Sequence, residues 1–568
     1  MRLAALRGPC KIFLVLKRMH VPSTQLKSPW AAALLLLLLP LLLLSFHAFV
    51  TETIDDSRFQ VNIDPDYQYL LSAIDLSRLD ESRMVLHPGT TVQLLAHVLM
   101  KARFWITGSR AEDFATSVLR NPGAYLNLLH HAFSLVNIGL VWLFGFLAFK
   151  ITQSMRYAFF FQSLPFLFAP LFIFGFRKVS SDVVLVSACL ALAWLLLKTI
   201  HGQHAKPLIE KRLALSIAFG LLIGFGAATK ITFAIMAVIP LVLIPTLVGK
   251  AGFLMTAGVG FSLFTLPAVS IFPRLGGFLG RILTHKGIYG RGRPSLFDAK
   301  DFAGNLWQLV RENFPFMIFM LLSVVVILFC LVGWARKGKS IDIWKEADFK
   351  ALCAVTFAQL VNALMIMRHF KSKYLIPALG LTALTVYLLD RNLQWWNHLG
   401  VSNSRLFAKF MGMRSWILGT MIVVALLQSG LQLHAFYRQR QQRLNEARMI
   451  EKKLQGEFRG YAIVYYYNAA SMIYGLKFGN DWTPLYHCKL QSLYGDQFFY
   501  NRSRRTLTGW NPKGRVALEM LRRKFNDRIV FYGSPFAVLE KKKVCKAPSF
   551  PLRDACGGEE ITLYRYEH

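Results

Sequence analysis

Apolar runs of about twenty residues, separated by short polar connections, dominate this chain. The first, Trp30 to Val50 (WAAALLLLLLPLLLLSFHAFV), carries no polar face at either the strand or the helix period. A run of that length matches bilayer hydrocarbon rather than the core of a soluble protein. Ten more follow, giving candidate spans near 30–50, 127–149, 157–175, 183–199, 213–229, 231–249, 251–272, 314–335, 349–367, 374–390 and 415–434. Beyond them the pattern changes. A charged helical stretch (FYRQRQQRLNEARMIEKKLQGEF) gives way to strand-like runs (YAIVYYY, RIVFYGS) alternating with polar helices. The pattern predicts an α-helical polytopic membrane protein of about eleven transmembrane helices, with a small extracytoplasmic α/β C-terminal domain. Its divisions are a cytoplasmic N-terminus at 1–29, a transmembrane core at 30–434 and the C-terminal domain at 435–568.

Charge orients this array. The connections 150–156, 198–212, 336–350 and 391–414 are short and rich in Lys and Arg, which assigns them to the cytoplasm. The basic N-terminus then begins an uncleaved signal anchor. The outer segments become 51–126, 176–182, 273–313, 368–373 and the tail. Within the first outer loop, YLLSAIDL and TTVQLLAHVL read as short helices lying along the membrane interface.

Composition sharpens the picture. Hydrophobic residues make up 54% and charged residues 17% of the 568, and the mean hydropathy is +0.39. The net charge of +35 sits largely in loops beside apolar runs, so it points to membrane lipids rather than to a nucleic acid. Cys189, Cys330 and Cys353 fall in or beside apolar segments and read as small core residues. Cys545 and Cys556 are close enough in sequence for a disulfide if the tail faces an oxidising compartment.

The first outer loop holds Asp55, Asp56, Asp64 and Asp66, then His87-Pro88-Gly89. A carboxylate just outside a first span lies at headgroup depth, where it can take a proton from an incoming hydroxyl. The same residues could equally solvate the loop or cap a helix beginning near Tyr67. Asp182 opens an apolar run, where capping is the ordinary role. Lys230 falls at the outer end of a span, where positive-inside bias does not account for it. Arg368, Lys371 and Lys373 crowd one short loop and would repel each other without an anion. In RILTHKGIYGRGRPS, His285, Lys286, Arg291 and Arg293 alternate with glycines that allow tight folding over a ligand or headgroup. His130-His131 has no partner at metal-binding spacing. Tyr465, Tyr466 and Tyr467 read as sheet surface.

Asp64-Pro65-Asp66-Tyr67-Gln68-Tyr69 followed by His87-Pro88 resembles the first-loop pattern of the C-type glycosyltransferase superfamily. The likeness is to its polyprenyl-phosphate-sugar branch, which includes protein mannosyltransferases and lipid A aminoarabinose transferases. The adjacent acidic pair of that family is here Asp-Pro-Asp, so Asp64 and Asp66 both stand as candidates for the base. Val179-Ser180-Ser181-Asp182 resembles the family's Ser/Thr-Pro-Asp, with Ser in place of Pro. Gly220 to Thr232 (GLLIGFGAATKIT) resembles its Gly-rich helix ending in Thr-Lys, and Arg368 to Pro377 (RHFKSKYLIP) its basic-Tyr-Leu-x-Pro element.

The resemblance implies transfer of a sugar from a polyprenyl-phosphate donor to a glycolipid, polysaccharide or protein acceptor at the extracytoplasmic face. It implies Asp64, Asp66 and Asp182 as catalytic residues, and Lys230, Arg368, Lys371, Lys373 and Tyr374 against the donor phosphate. His87, His285, Tyr289 and Arg291 would line the substrate. No metal ligand and no cofactor is assigned, and a divalent cation is left open. The expected location is a bacterial inner (plasma) membrane. Two other classes compete. A polymerase or ligase using a diphosphate-linked glycan calls for a large late outer loop, and a secondary transporter calls for repeats and charges buried within spans.

The odd number of spans and the basic inner loops place the N-terminus inside and the C-terminus outside. Reporter fusions within 336–340 and after His568 are expected to report the cytoplasm and the exterior, respectively. A cytoplasmic signal at His568 overturns the orientation.

Overall fold

A computed structural model of the chain describes residues 28–54, 65–76, 88–107, 112–202, 209–285, 292–295, 298–336, 343–368, 370–398, 405–466, 469–501, 506–511, 514–526, 528–533, 545–546 and 562–565. Among them, eight helices are long and apolar enough to cross a bilayer: Pro29–Thr53, Pro122–Thr152, Ser181–Gly202, Leu247–Val269, Phe314–Ala335, Ala347–Ile366, Ser372–Trp395 and Trp416–Gln455. Leu213–Thr229 and Ile231–Leu243 are shorter apolar helices. Their outer surfaces say what surrounds them. Along the helix Phe314–Arg336, Leu321, Val325, Leu328 and Val332 recur at helical spacing and are each half or more exposed. Leu254, Met255, Val259 and Leu263 do the same on Leu247–Thr265. Aliphatic stripes of this length are costly against water and cost nothing against lipid tails. The chain is a multi-pass integral membrane protein.

Two expected spans break into pieces too short to cross a bilayer. Residues 157–175 form three pieces, Met155–Gln162, Leu164–Leu167 and Ala169–Gly175. Pro165 and Pro170 sit in the first turn of the second and third pieces, where a missing N–H costs nothing but an α-helix cannot run through unbroken. Residues 231–249 begin as the 3-10 helix Ile231–Ala237, continue as Val238–Leu243, and become extended at Ile244.

The Gly-rich segment packs one helix on another. A Cβ at Gly220 would meet Phe253 O at 2.7 Å, and one at Gly224 would meet Ala257 O and Phe261 N, both at 2.6 Å. Spaced by four, these glycines bring Ile209–Thr229 and Leu247–Thr265 into backbone contact, as small residues do where no hydrophobic effect drives association.

The connections sort to two ends of the bundle. At one end Tyr157 donates to Asp390, His201 meets the Tyr387 hydroxyl, and Arg391 Nε donates to Asp348 Oδ2 at 3.1 Å. At the other end lie the described residues of the first loop, Val179, Asp182, Lys230, Lys373, Tyr374 and the tail helix Met472–Trp482.

The tail carries one six-stranded sheet. β1 (Ala462–Tyr465), β2 (Phe498–Asn501), β3 (Thr506–Thr508), β4 (Ile529–Gly533), β5 (Cys545–Lys546) and β6 (Thr562–Arg565) run in the order β3-β2-β1-β4-β6-β5. β1 is parallel to both β2 and β4, with Val464 opposite Phe498 and Phe531, and the remaining pairings are antiparallel. All five residues of β4 are buried, as befits an interior strand, paired parallel to β1 and antiparallel to β6. Tyr465 and Tyr466 are buried as well, so they pack within the domain instead of on its surface as expected; Tyr467 lies outside the described residues. Cys556 and the Cys545 side chain also lie outside them. The helix Arg405–Gln455 runs unbroken from the membrane into the tail.

The tail also corrects the reading of the first loop. All ten residues of the helix Asp66–Asp75 are buried, under the tail helix Met472–Trp482 rather than along lipid. Tyr67 fills the space left by two absent side chains: a Cβ at Gly475 would meet its ring at 2.5 Å, and one at Gly479 its carbonyl at 2.6 Å. Tyr486 Oη donates to Asp75 Oδ1 at 2.7 Å with both residues fully buried, and Lys489 reaches Asp113 at 2.7 Å. The helix Thr90–Thr107 does keep an apolar exposed end at Trp105 and Ile106.

Because Gly224 faces backbone on the neighbouring helix, Gly224→Ala forces the helices apart. It is expected to lower stability in detergent by about 1–3 kcal/mol. Gly258→Ala, where nothing lies within 4 Å, is expected to leave thermal unfolding unchanged.

Candidate functional site

The site begins with Asp66, first residue of the helix Asp66–Asp75 and only 5% exposed. Its Oδ1 accepts the Val179 N–H at 3.1 Å, and its Oδ2 lies 3.0 Å from His130 Nε2 on the helix Pro122–Thr152. A buried carboxylate is tolerated only when its oxygens are engaged, and here two separate segments engage them. Gly89 helps seat this layer. Its φ of +64° belongs to the left-handed region, and a Cβ there would meet Tyr69 Oη at 2.6 Å, so the chain entering Thr90–Thr107 lies directly against the helix that bears Asp66.

Val179 leads into Asp182, in the first turn of Ser181–Gly202. Asp182 and Lys230 are 3% and 1% exposed, and Lys230 Nζ donates to Asp182 Oδ1. Lys230 also lies 4.5 Å from the centroid of the Tyr374 ring, and Lys373 lies 5.7 Å from the same centroid. Thr91 and Thr229, 2.8 Å apart and buried, tie the first-loop helix to the helix end that precedes Lys230. Six sequence-predicted residues, Asp66, Asp182, Lys230, Lys371, Lys373 and Tyr374, therefore gather at one end of the bundle. Lys371 and Lys373 are close enough for their charges to act on Lys230.

Lys178 joins them. Its withdrawal from water pushes its ammonium down to about 8, and the Arg440 and Lys373 charges push the same way, against Asp66 and Asp182. A lysine held this way gains from any anion that enters. Arg177 and Arg440 lie 5.3 and 5.5 Å from the centroid of the Phe436 ring, which brings the long helix Arg405–Gln455 to the cationic group.

Other expected residues stand apart. Arg368 donates to the carbonyl of Ser295, and Ser372 donates to Glu312, so both stitch the loop between spans to the bundle. Asn305 reinforces that seam through the Met367 carbonyl at 2.5 Å. His285 is half-buried, bonded to its neighbour Thr284 at 2.8 Å and bridged to Pro294. Asp64, His87, Tyr289 and Arg291 lie outside the described residues. No group of three or more His, Cys, Asp or Glu side chains that could hold a metal ion occurs among the described residues.

Sequence reasoning missed His130, Lys178 and Arg440. His130 was weighed only as a metal ligand. Lys178 was one cation among many, although its place directly before Val-Ser-Ser-Asp was a usable signal.

The buried ion pair makes a stability prediction. Lys230→Met leaves Asp182 buried without its ammonium and is expected to cost about 3–5 kcal/mol. Adding Asp182→Asn is expected to recover much of that loss. Thermal unfolding of the purified single and double variants checks it; equal destabilisation by both overturns the pairing.

No known protein family matches this chain, and no curated protein matches it. Among solved structures it is similar to the crystal structure of ArnT from Cupriavidus metallidurans bound to undecaprenyl phosphate. That likeness covers 92% of this chain and 97% of the other, with a TM-score of 0.39 and 13% sequence identity.

Proposed function

We propose that this chain is a membrane glycosyltransferase that moves a sugar from a polyprenyl-phosphate donor to a hydroxyl of a glycolipid, polysaccharide or protein. One observation carries the reading. A buried carboxylate, Asp66, stands at the same end of a membrane bundle as a group of cations from three other segments, Lys178, Lys230 and Lys373, with Tyr374 beside them. Proton removal from an attacking hydroxyl needs the first, and a departing phosphate needs the second. The donor's lipid portion requires a site that opens to hydrocarbon, which a bundle end at the membrane boundary offers.

In this reading the acceptor oxygen attacks the anomeric carbon in line, and its proton passes to Asp66 or to Asp64. The carbon–oxygen bond to the carrier phosphate breaks, with inversion. The phosphate is received by Lys178 and Lys373, with Lys371 and Arg440 enlarging the positive field. Lys230, already paired with Asp182, keeps that carboxylate from repelling the phosphate and offers its remaining N–H donors. The reaction face is extracytoplasmic, with the N-terminus cytoplasmic and the protein in the bacterial inner membrane.

Cells lacking the protein are expected to lose one sugar from a surface glycolipid or glycan, read by mass spectrometry. Complementation with Asp66→Asn or Asp64→Asn removes one carboxylate at nearly constant size. The variant lacking the base is expected to lose product formation by roughly a hundred- to ten-thousandfold. Asp55→Asn and Asp56→Asn are expected to restore it. Full activity in all four variants overturns the mechanism.

A further inference from the structure

We infer that Glu312 is a positioning residue for the donor phosphate: through Ser372 it holds the turn that carries Lys371 and Lys373 at the cationic group. This rests on the reading of those lysines as serving the phosphate. Ser372 stands between them in sequence, and its hydroxyl donates to Glu312 Oε2. The other carboxylate oxygen, Oε1, accepts from Gln308 Nε2 at 2.7 Å, so the carboxylate is held from both sides. The Tyr374 N–H donates to the Lys371 carbonyl at 2.8 Å and closes the turn, so a hold on Ser372 places both lysines together.

Glu312 occupies a place that does not suit an acid. It is the last residue of the helix Ala299–Glu312, where the helix dipole disfavours negative charge. The helix end itself is fixed. Gln428 and Gln432, one turn apart on Arg405–Gln455, donate to the carbonyls of Arg311 and Glu312 at 2.8 and 2.6 Å. Two turns before Glu312, Asn305 ties the same helix to the Met367 carbonyl, and Leu309 is buried between these holds. Glu312 is therefore a rigid post.

The turn needs such a post. The charges of Lys371 and Lys373 act on Lys230, and that of Lys373 on Lys178, so like charges push the turn away from the bundle until an anion enters. On its downstream side the chain is anchored, because Tyr374, Leu375 and all of Ile376–Gly380 are buried. At the lysines themselves the bond from Ser372 to Glu312 opposes the repulsion. A neutral hydroxyl engages the carboxylate, which leaves the Lys373 ammonium for the ligand.

The test measures binding of a short-chain polyprenyl phosphate, and of the matching polyprenol, to purified full-length protein in detergent. Glu312→Ala is expected to weaken binding of the phosphate about tenfold and to leave binding of the polyprenol unchanged. Glu312→Gln still offers an acceptor to the Ser372 hydroxyl once Gln308 turns its own amide, and is expected to bind the phosphate as the unaltered protein does. Ser372→Ala is expected to match Glu312→Ala, and the double variant to lose no more than either alone. Where Glu312→Ala fails to fold, Ser372→Ala decides alone. Normal phosphate binding in these alanine variants, beside weakened binding in Lys373→Ala, overturns the positioning role and preserves the reading of the lysines. A Glu312→Gln protein as weak as Glu312→Ala also overturns it, since charge and not the hydrogen bond would then be at work. So does an equal loss of polyprenol binding, which reports a general loosening of the bundle. Undiminished phosphate binding in Lys373→Ala overturns the reading of the lysines, and this inference with it.

Discussion

Two opposite charges withdrawn from water, Asp182 and Lys230, impose order on this end of the protein. Neither is tolerable alone at the edge of hydrocarbon, so the start of Ser181–Gly202 and the end of Ile209–Thr229 must meet there. The second helix is in turn locked to Leu247–Thr265 through Gly220 and Gly224, and the Tyr374 ring closes over the ammonium. Once that junction is fixed, Val179 stands three residues before Asp182 with its N–H available to Asp66. The first loop is thereby aligned by a charge pair that it does not itself contain.

What the sequence discloses depends on whether a residue's role is local. Asp182, Lys230, Lys373 and Tyr374 are polar or aromatic residues at the ends of apolar runs, and their exceptional setting is visible in the string itself. Asp66 is visible for the same reason, as a carboxylate just beyond the first span. His130 is not, because its meaning comes from a partner 64 residues away, and the Val179 N–H lies 113 residues from the carboxylate that it holds. Such pairings depend on how each helix is rotated about its axis, which hydropathy does not encode. The interface reading of Asp66–Asp75 failed for a related reason: an amphipathic segment looks alike whether lipid or another domain covers it. The expected span at 157–175 hid its breaks because proline is sufficiently apolar to pass in a hydropathy walk.

The C-terminal domain is not an appendage in this arrangement. Ser72 meets Thr483, Asp75 meets Tyr486, and Tyr67 occupies ground vacated by Gly475 and Gly479, all across about four hundred residues of sequence. Long-range closure of that kind carries a small entropic cost relative to the apolar area it buries. It means that the surroundings of the helix bearing Asp66 are complete only once Gly475 to Tyr486 are in place.

The helix Arg405–Gln455 has a mechanical consequence. Its 51 residues have no break, and at 1.5 Å per residue it is about 75 Å long. Phe436 and Arg440, beside the cationic group, share it with Leu444 and Ala447, which pack with Ala470 of the tail. An unbroken helix has no joint in which to lose rotation. A twist applied to the tail is therefore delivered to the guanidinium of Arg440, as a crankshaft delivers torque, and whatever docks against the tail has a rigid handle on the electric field one to two turns along the same shaft.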